Sequence, residues 1–150
     1  MAMISKEDQE FLKNHFAKEL QSEVKIVYFT QKESPLAVPG QQCQYCRETK
    51  DILDELASLS DKINVEVLDL LADKARAEEL GVDKIPGLVL QGQGKGTVRY
   101  FGIPSGYEFS TLIEDVVEIS KPTTGLSDKT KAVLQKIDKD LHIQVFVTPT

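Results

Sequence analysis

Tryptophan is absent, and cysteine and histidine occur only twice each. A zinc site normally takes four ligands, and here the two cysteines would have to recruit His15 and His142, which lie in distant segments without the spacing of a second ligand pair. Positive charge is also in short supply. With a formal net charge of -6 and a pI near 5.0 the chain offers no broad basic surface, so nucleic acid is not an expected partner. No apolar run approaches the roughly 20 residues that a membrane helix needs. The opening residues, Met1 to Asp8, contain neither the apolar core nor the cleavage site of a leader, so a cytoplasmic location away from membranes is expected. Phosphate-cradling loops are missing too. The run Gly92-Gln93-Gly94-Lys95-Gly96 lacks a strand-to-helix setting and reads as a hairpin turn.

What is present is an ordinary globular composition. A hydrophobic share of 41% and a charged share of 28% over 150 residues allow one domain with a real core, and room for an appendage. Both cysteines stand in one motif, Cys43-Gln44-Tyr45-Cys46, after a loop and before a strong amphipathic helix pattern. Two thiols so spaced at a helix start can close a disulfide within one turn, and the first is directed at unsatisfied helix amides. A free cysteine has a pKa of roughly 8.5, which helix N-termini and this geometry lower to about 3.5–7.5, giving a nucleophile at neutral pH. In a reducing cytosol a lone pair of this kind fits catalysis better than a permanent cross-link. Redox exchange is therefore favoured over half a zinc site or two inert thiols.

The pattern along the chain places the motif. Ser5 and Asp8, followed by Phe11, Leu12, Phe16 and Leu20, predict a capped helix over 5–21. Val24 to Thr30 is β-branched and aromatic, as a buried strand requires. A loop with Pro35, Pro39 and Gly40 then delivers the chain to Cys43, after which Ile52, Leu53, Leu56 and Leu59 form a helical stripe. A strand over 63–70, a helix over 72–80 stopped by Gly81, short strands over 87–91 and 97–101, and a helix over 107–120 complete the unit. Alternation of strand and helix in the first half predicts parallel strands, and the Gly92–Gly96 turn predicts an antiparallel hairpin.

This order resembles the thioredoxin fold with an extra N-terminal helix: an α/β fold, a mixed sheet flanked by helices, with a C-terminal helix-strand appendage. In more detail the chain resembles the glutaredoxin-like protein disulfide oxidoreductases, which join two thioredoxin-like units in tandem. The resemblance rests on Cys43-Gln44-Tyr45-Cys46, on Ile85-Pro86 where such proteins carry a cis-proline, on the run Val98 to Phe109, and on the end Val145-Phe146-Val147-Thr148-Pro149-Thr150. It implies a unit over 1–120 and, over 121–150, a connector, a helix over 126–140 and a strand near 142–147 that resemble the start of a second unit. That strand, rich in Ile143, Val145, Phe146 and Val147, is expected to add to the first unit's sheet or to pair with a second chain in a homodimer.

The resemblance also implies roles. Cys43 is the attacking thiol and Cys46 the resolving one. Ile85 and Pro86 present backbone to an extended substrate, and Tyr45 tunes the potential of the pair, touches substrate or serves as an exposed spacer. Glu33 is the carboxylate nearest the strand end for proton transfer, although the stretch Ser34 to Gly40 is longer than the family's usual connection and shifts its register. Asp69 either approaches the site or caps the following helix, while His15 and His142 do not adjoin the motif. The implied activity is exchange with protein disulfides, with no metal or organic cofactor and a thioredoxin-reductase-type protein as electron donor. The competing readings are a non-catalytic binding or dimerisation module and an electron relay to a peroxidase.

Overall fold

The computed structural model describes residues 3–32, 42–94 and 96–147. Glu33 and the stretch Ser34 to Gly40 lie outside them, as do Thr148, Pro149 and Thr150. The elements in chain order are α1 (Lys6–Glu19), β1 (Val24–Thr30), α2 (Cys46–Ser58), β2 (Ile63–Asp69), α3 (Lys74–Leu80), β3 (Gly87–Gln91), β4 (Val98–Phe101), α4 (Tyr107–Ile119) and α5 (Asp128–Leu134).

Local chemistry sets the ends of these elements. Ser5 caps α1, its hydroxyl accepting the Asp8 amide at 3.1 Å. That contact satisfies one of the free N–H groups of the first turn. Gly81 ends α3 in the left-handed conformation, φ 68°, which a side chain would strain.

The sheet order is β2-β1-β3-β4, so the first strand is central. β1 runs parallel to β2, and β3 and β4 form the antiparallel hairpin, with β3 also antiparallel to β1. Because side chains alternate along a strand, β1 sends Val24, Ile26 and Tyr28 to one face and Val27 and Phe29 to the other. The first face is covered by Leu12 and Phe16 of α1, Ile52, Leu53 and Leu56 of α2, and Leu112, Ile113, Val116 and Val117 of α4. The second is covered by Ala77 and Leu80 of α3 together with Val82. A central strand buried on both sides explains its continuous apolar run.

The glycine-rich turn packs closely on the end of α4. A Cβ on Gly92 would stand 2.3 Å from the Ile119 carbonyl oxygen, and Gly94 donates its N–H to that same oxygen at 3.0 Å. Glycine is needed there for close approach.

The appendage departs from expectation. α5 ends at Leu134 rather than near residue 140, and 141–147 forms no strand. α5 buries no residue, so it has only the weak local energetics of a short helix. Among the described residues the β-prone segment has no neighbouring strand to pair its backbone groups, and it does not join the four-stranded sheet, where one form of the expectation had placed it. Ile143, Val145, Phe146 and Val147 are all exposed.

Candidate active site

β1 carries the chain to one end of the sheet, and α2 starts there with Cys46 as its first residue. Cys43 and Cys46 are joined in a disulfide with Cα atoms 5.5 Å apart. The two are unequally placed: Cys43 is half-buried in the turn ahead of the helix, and Cys46 is 6% exposed. α2 has Tyr45 at its N-cap and no side-chain cap, so its first-turn amides open toward the disulfide end. Thr49 closes the turn from within, its hydroxyl donating to the Tyr45 carbonyl at 2.7 Å. Tyr45 itself is exposed, and its hydroxyl accepts from the Gln44 side chain at 3.1 Å.

Ile85-Pro86 is a cis peptide. Gly87, the next residue, pairs with Phe29 near the end of β1, which brings Pro86 to the end of the sheet that holds the cysteines. Pro86 is buried, and Ile85 is half-buried against the second core. The β4–α4 connection is tied to this corner, because Gly102 donates its N–H to the Pro86 carbonyl at 2.9 Å. Tyr100 fixes the same connection, its hydroxyl lying 2.7 Å from a Glu108 carboxylate oxygen and 3.1 Å from the Ile103 carbonyl. Burial and that carboxylate push the Tyr100 pKa well up, so the phenol stays protonated.

Asp69 is placed at the end of β2 and serves two connections at once. Its carboxylate accepts from the Leu71 and Ala72 amides at 3.0 and 2.8 Å, holding the turn into α3, and from the Lys32 amide at 2.8 Å, holding the chain as it leaves β1. The Ala72 and Lys32 amides draw its pKa below the usual carboxylate value. The N-cap position of α3 belongs to Asp73, and Asp69 holds the turn that leads into that helix. His15 stacks on Phe11 along α1, and His142 is exposed in the appendage.

Three polar residues at this end were not picked out in the sequence. Tyr28, fully buried, donates its hydroxyl to the Cys46 carbonyl at 2.6 Å. Glu48 has a buried carboxylate oxygen with no hydrogen-bond partner among the described residues, and its charge acts on Tyr28. Glu48 stands four residues before Ile52, on the buried stripe of α2, so helical spacing carried a signal for it. Gln31 accepts the Cys43 amide at 3.1 Å through its side-chain oxygen, a contact between positions twelve apart that no local pattern announces.

Residues 14–103, more than half of the chain, match a family described as a domain of unknown function, DUF7088. A probable thioredoxin of Methanothermobacter thermautotrophicus is 34% identical over 77 residues, which are 51% of this chain and 86% of that protein. Among solved structures, a protein disulfide oxidoreductase from Aeropyrum pernix superposes with a TM-score of 0.71 at 23% identity, covering 88% of this chain and 54% of that one. A chain of the alkylhydroperoxide reductase from Enterococcus faecalis gives 0.73 at 22% identity, over 91% of this chain and 62% of that one. The chain thus spans little more than half the length of either solved relative, and the likeness to both is one of fold.

Proposed function

The chain belongs to the thioredoxin family as well as to the domain family DUF7088, and from that premise we propose that its cysteine pair performs thiol-disulfide exchange with protein disulfides. The observation that carries this reading is the asymmetric pair: one disulfide, half-buried at Cys43 and buried at Cys46, at a helix N-terminus without a side-chain cap. In the reducing direction the Cys43 thiolate attacks a substrate disulfide, forming a mixed disulfide and expelling one substrate thiolate. Cys46 gives up its proton and attacks Cys43, the second substrate thiolate leaves, and the Cys43–Cys46 bond is restored. The Glu48 carboxylate, buried near Tyr28 and two residues beyond Cys46, is suited to take that proton in place of Glu33. No metal or organic cofactor enters the exchange.

Ile85 and Pro86 form the backbone platform for an extended substrate segment, and exposed Tyr45 also touches the substrate. A cytoplasmic protein of this kind is re-reduced by a thioredoxin-reductase-type donor. The deciding experiment is insulin reduction with dithiothreitol, with Cys43→Ser checked for folding by circular dichroism. Loss of turnover in a folded Cys43→Ser is expected. A folded wild type without turnover would shift the reading to a binding module.

A second reading, an electron relay to a peroxidase, is favoured by the fold likeness to the alkylhydroperoxide reductase chain. It requires oxidation of the reduced pair to keep pace with peroxide turnover in a coupled assay. Residues 121–147 we read as a connector and the beginning of a second thioredoxin-like unit. Their exposed apolar side chains, Val133, Leu134, Ile143, Val145 and Phe146 among them, are suited to pair with a second chain. Light scattering of the full chain decides this: a homodimer is expected, and a monomer would end the pairing proposal.

A further inference from the structure

Hydrogen bonds hold the described residues on both sides of the long connection between β1 and the cysteines. On the β1 side, Leu70 donates its N–H to the Thr30 carbonyl at 2.9 Å, and the Lys32 amide donates to Asp69 Oδ2 at 2.8 Å. Asp69 is itself fixed by the Leu71 and Ala72 amides. Residues 30–32 are thereby anchored to the end of β2. From this anchored segment the Gln31 Oε1 atom reaches across to the Cys43 amide at 3.1 Å. It links the braced strand end to the Cys43 backbone, as the Tyr28 hydroxyl links β1 to the Cys46 carbonyl.

We propose that Gln31 is a positioning residue for the exchange reaction, holding the Cys43 backbone in place when the disulfide is open. The inference rests on the exchange reading above. While the Cys43–Cys46 bond is closed, Cys43 is pinned through Cys46 to α2, and the Gln31 contact adds little order. When two electrons and two protons convert the disulfide to two thiols, that covalent pin is lost. Cys43 is then joined to α2 only through Gln44 and Tyr45, with the long connection on its other side. The Gln31 contact limits how far the Cys43 sulfur departs from Cys46. An ordered dithiol loses less conformational entropy on reclosing, and its two sulfurs present a higher effective concentration to each other. The sign follows: loss of the contact favours the dithiol.

A role limited to general stability would lower the melting temperature of both redox forms together and leave the equilibrium between them in place. Equilibration of the full chain with glutathione separates the two. In that reaction the protein disulfide and two glutathione thiols give the protein dithiol and one glutathione disulfide. Gln31→Ala is expected to shift the equilibrium constant about three- to tenfold toward the dithiol, tenfold being about 30 mV for two electrons. Gln31→Glu, which keeps an acceptor oxygen at the same reach, is expected to return the equilibrium most of the way to the wild-type value. Hydrogen exchange at the Cys43 amide of the dithiol should be slow in the wild type and fast in Gln31→Ala. Should Gln31→Ala fail to fold, Gln31→Met keeps the length of the side chain without the amide acceptor and serves in its place. An unchanged glutathione equilibrium, or an unprotected Cys43 amide in the reduced wild type, overturns the proposal. A wild-type pair inert to glutathione would count against the exchange reading instead, and protection of the Cys43 amide would then decide the Gln31 contact by itself.

Discussion

The Tyr28 hydroxyl donates a 2.6 Å hydrogen bond to the carbonyl oxygen of Cys46, joining the buried centre of β1 to the first residue of α2. Burial foremost, with the Glu48 charge adding to it, raises the Tyr28 pKa, so the phenol remains a donor throughout the neutral range. The bond fixes where the helix begins, and with it the position of the inner cysteine. Tyr28→Phe keeps the ring and removes the donor. A loss of about 1 kcal/mol is expected from one such bond, seen as a melting temperature lowered by about 2–4 °C. A variant as stable as the wild type would mean that the bond contributes nothing net.

The unequal exposure of the two sulfurs predicts unequal single mutants. Cys46→Ser retains the outer thiol, and without a resolving partner it should accumulate a mixed disulfide with substrate that mass spectrometry detects as an adduct on Cys43. Cys43→Ser should give no adduct under the same conditions. Equal trapping by both variants would show that the inner sulfur reacts directly.

Asp69 predicts a dependence on pH with a definite sign. Its folded pKa lies below the value of roughly 3.9 of an unfolded aspartate, because its carboxylate accepts backbone amides. The stability it supplies is therefore present in full above that unfolded value and is lost as pH falls through the folded one. In urea titrations the gap between wild type and Asp69→Ala should be constant near neutrality and should narrow below about pH 4. A gap that stays the same in acid would show that the amides gain nothing from the charge.

Two glycines of one turn should respond differently to the same substitution. Gly92→Ala sets a methyl group against the Ile119 carbonyl, while a Cβ on Gly96 meets nothing within 4 Å. Urea unfolding is expected to place Gly92→Ala about 1–3 kcal/mol below the wild type and Gly96→Ala within about 0.5 kcal/mol of it. Similar losses at both positions would point to turn flexibility instead of close packing.

Most of the fold was legible because it is written in periodicity. The β1 pattern gave its limits at Val24 and Thr30, the hairpin strands fell within a residue of expectation, and Gly81 ends α3 as anticipated. The cysteine motif and Ile85-Pro86 were visible as short-range patterns. The less visible features arise from contacts across long sequence separations. A tyrosine in an apolar strand gives no sign of the carbonyl its hydroxyl will reach, and Asp69 reads as a local turn residue until β1 and β2 pair and bring Lys32 to it. At 142–147 the signal was real but insufficient, since β-branched residues favour extended backbone and only a partner strand supplies its hydrogen bonds.

The connection into α4 is tied to Pro86 through Gly102, and the helix ends at Ile119, where its last carbonyl meets the hairpin turn at the other end of the sheet. The chain therefore leaves the unit at Lys121, at the pole away from the cysteines. A strand of seven residues spans about 20 Å. A surface tether or a fluorophore attached at Lys121 thus starts roughly that distance from the reactive sulfurs, so the protein can be immobilised there with the cysteine pole facing solution.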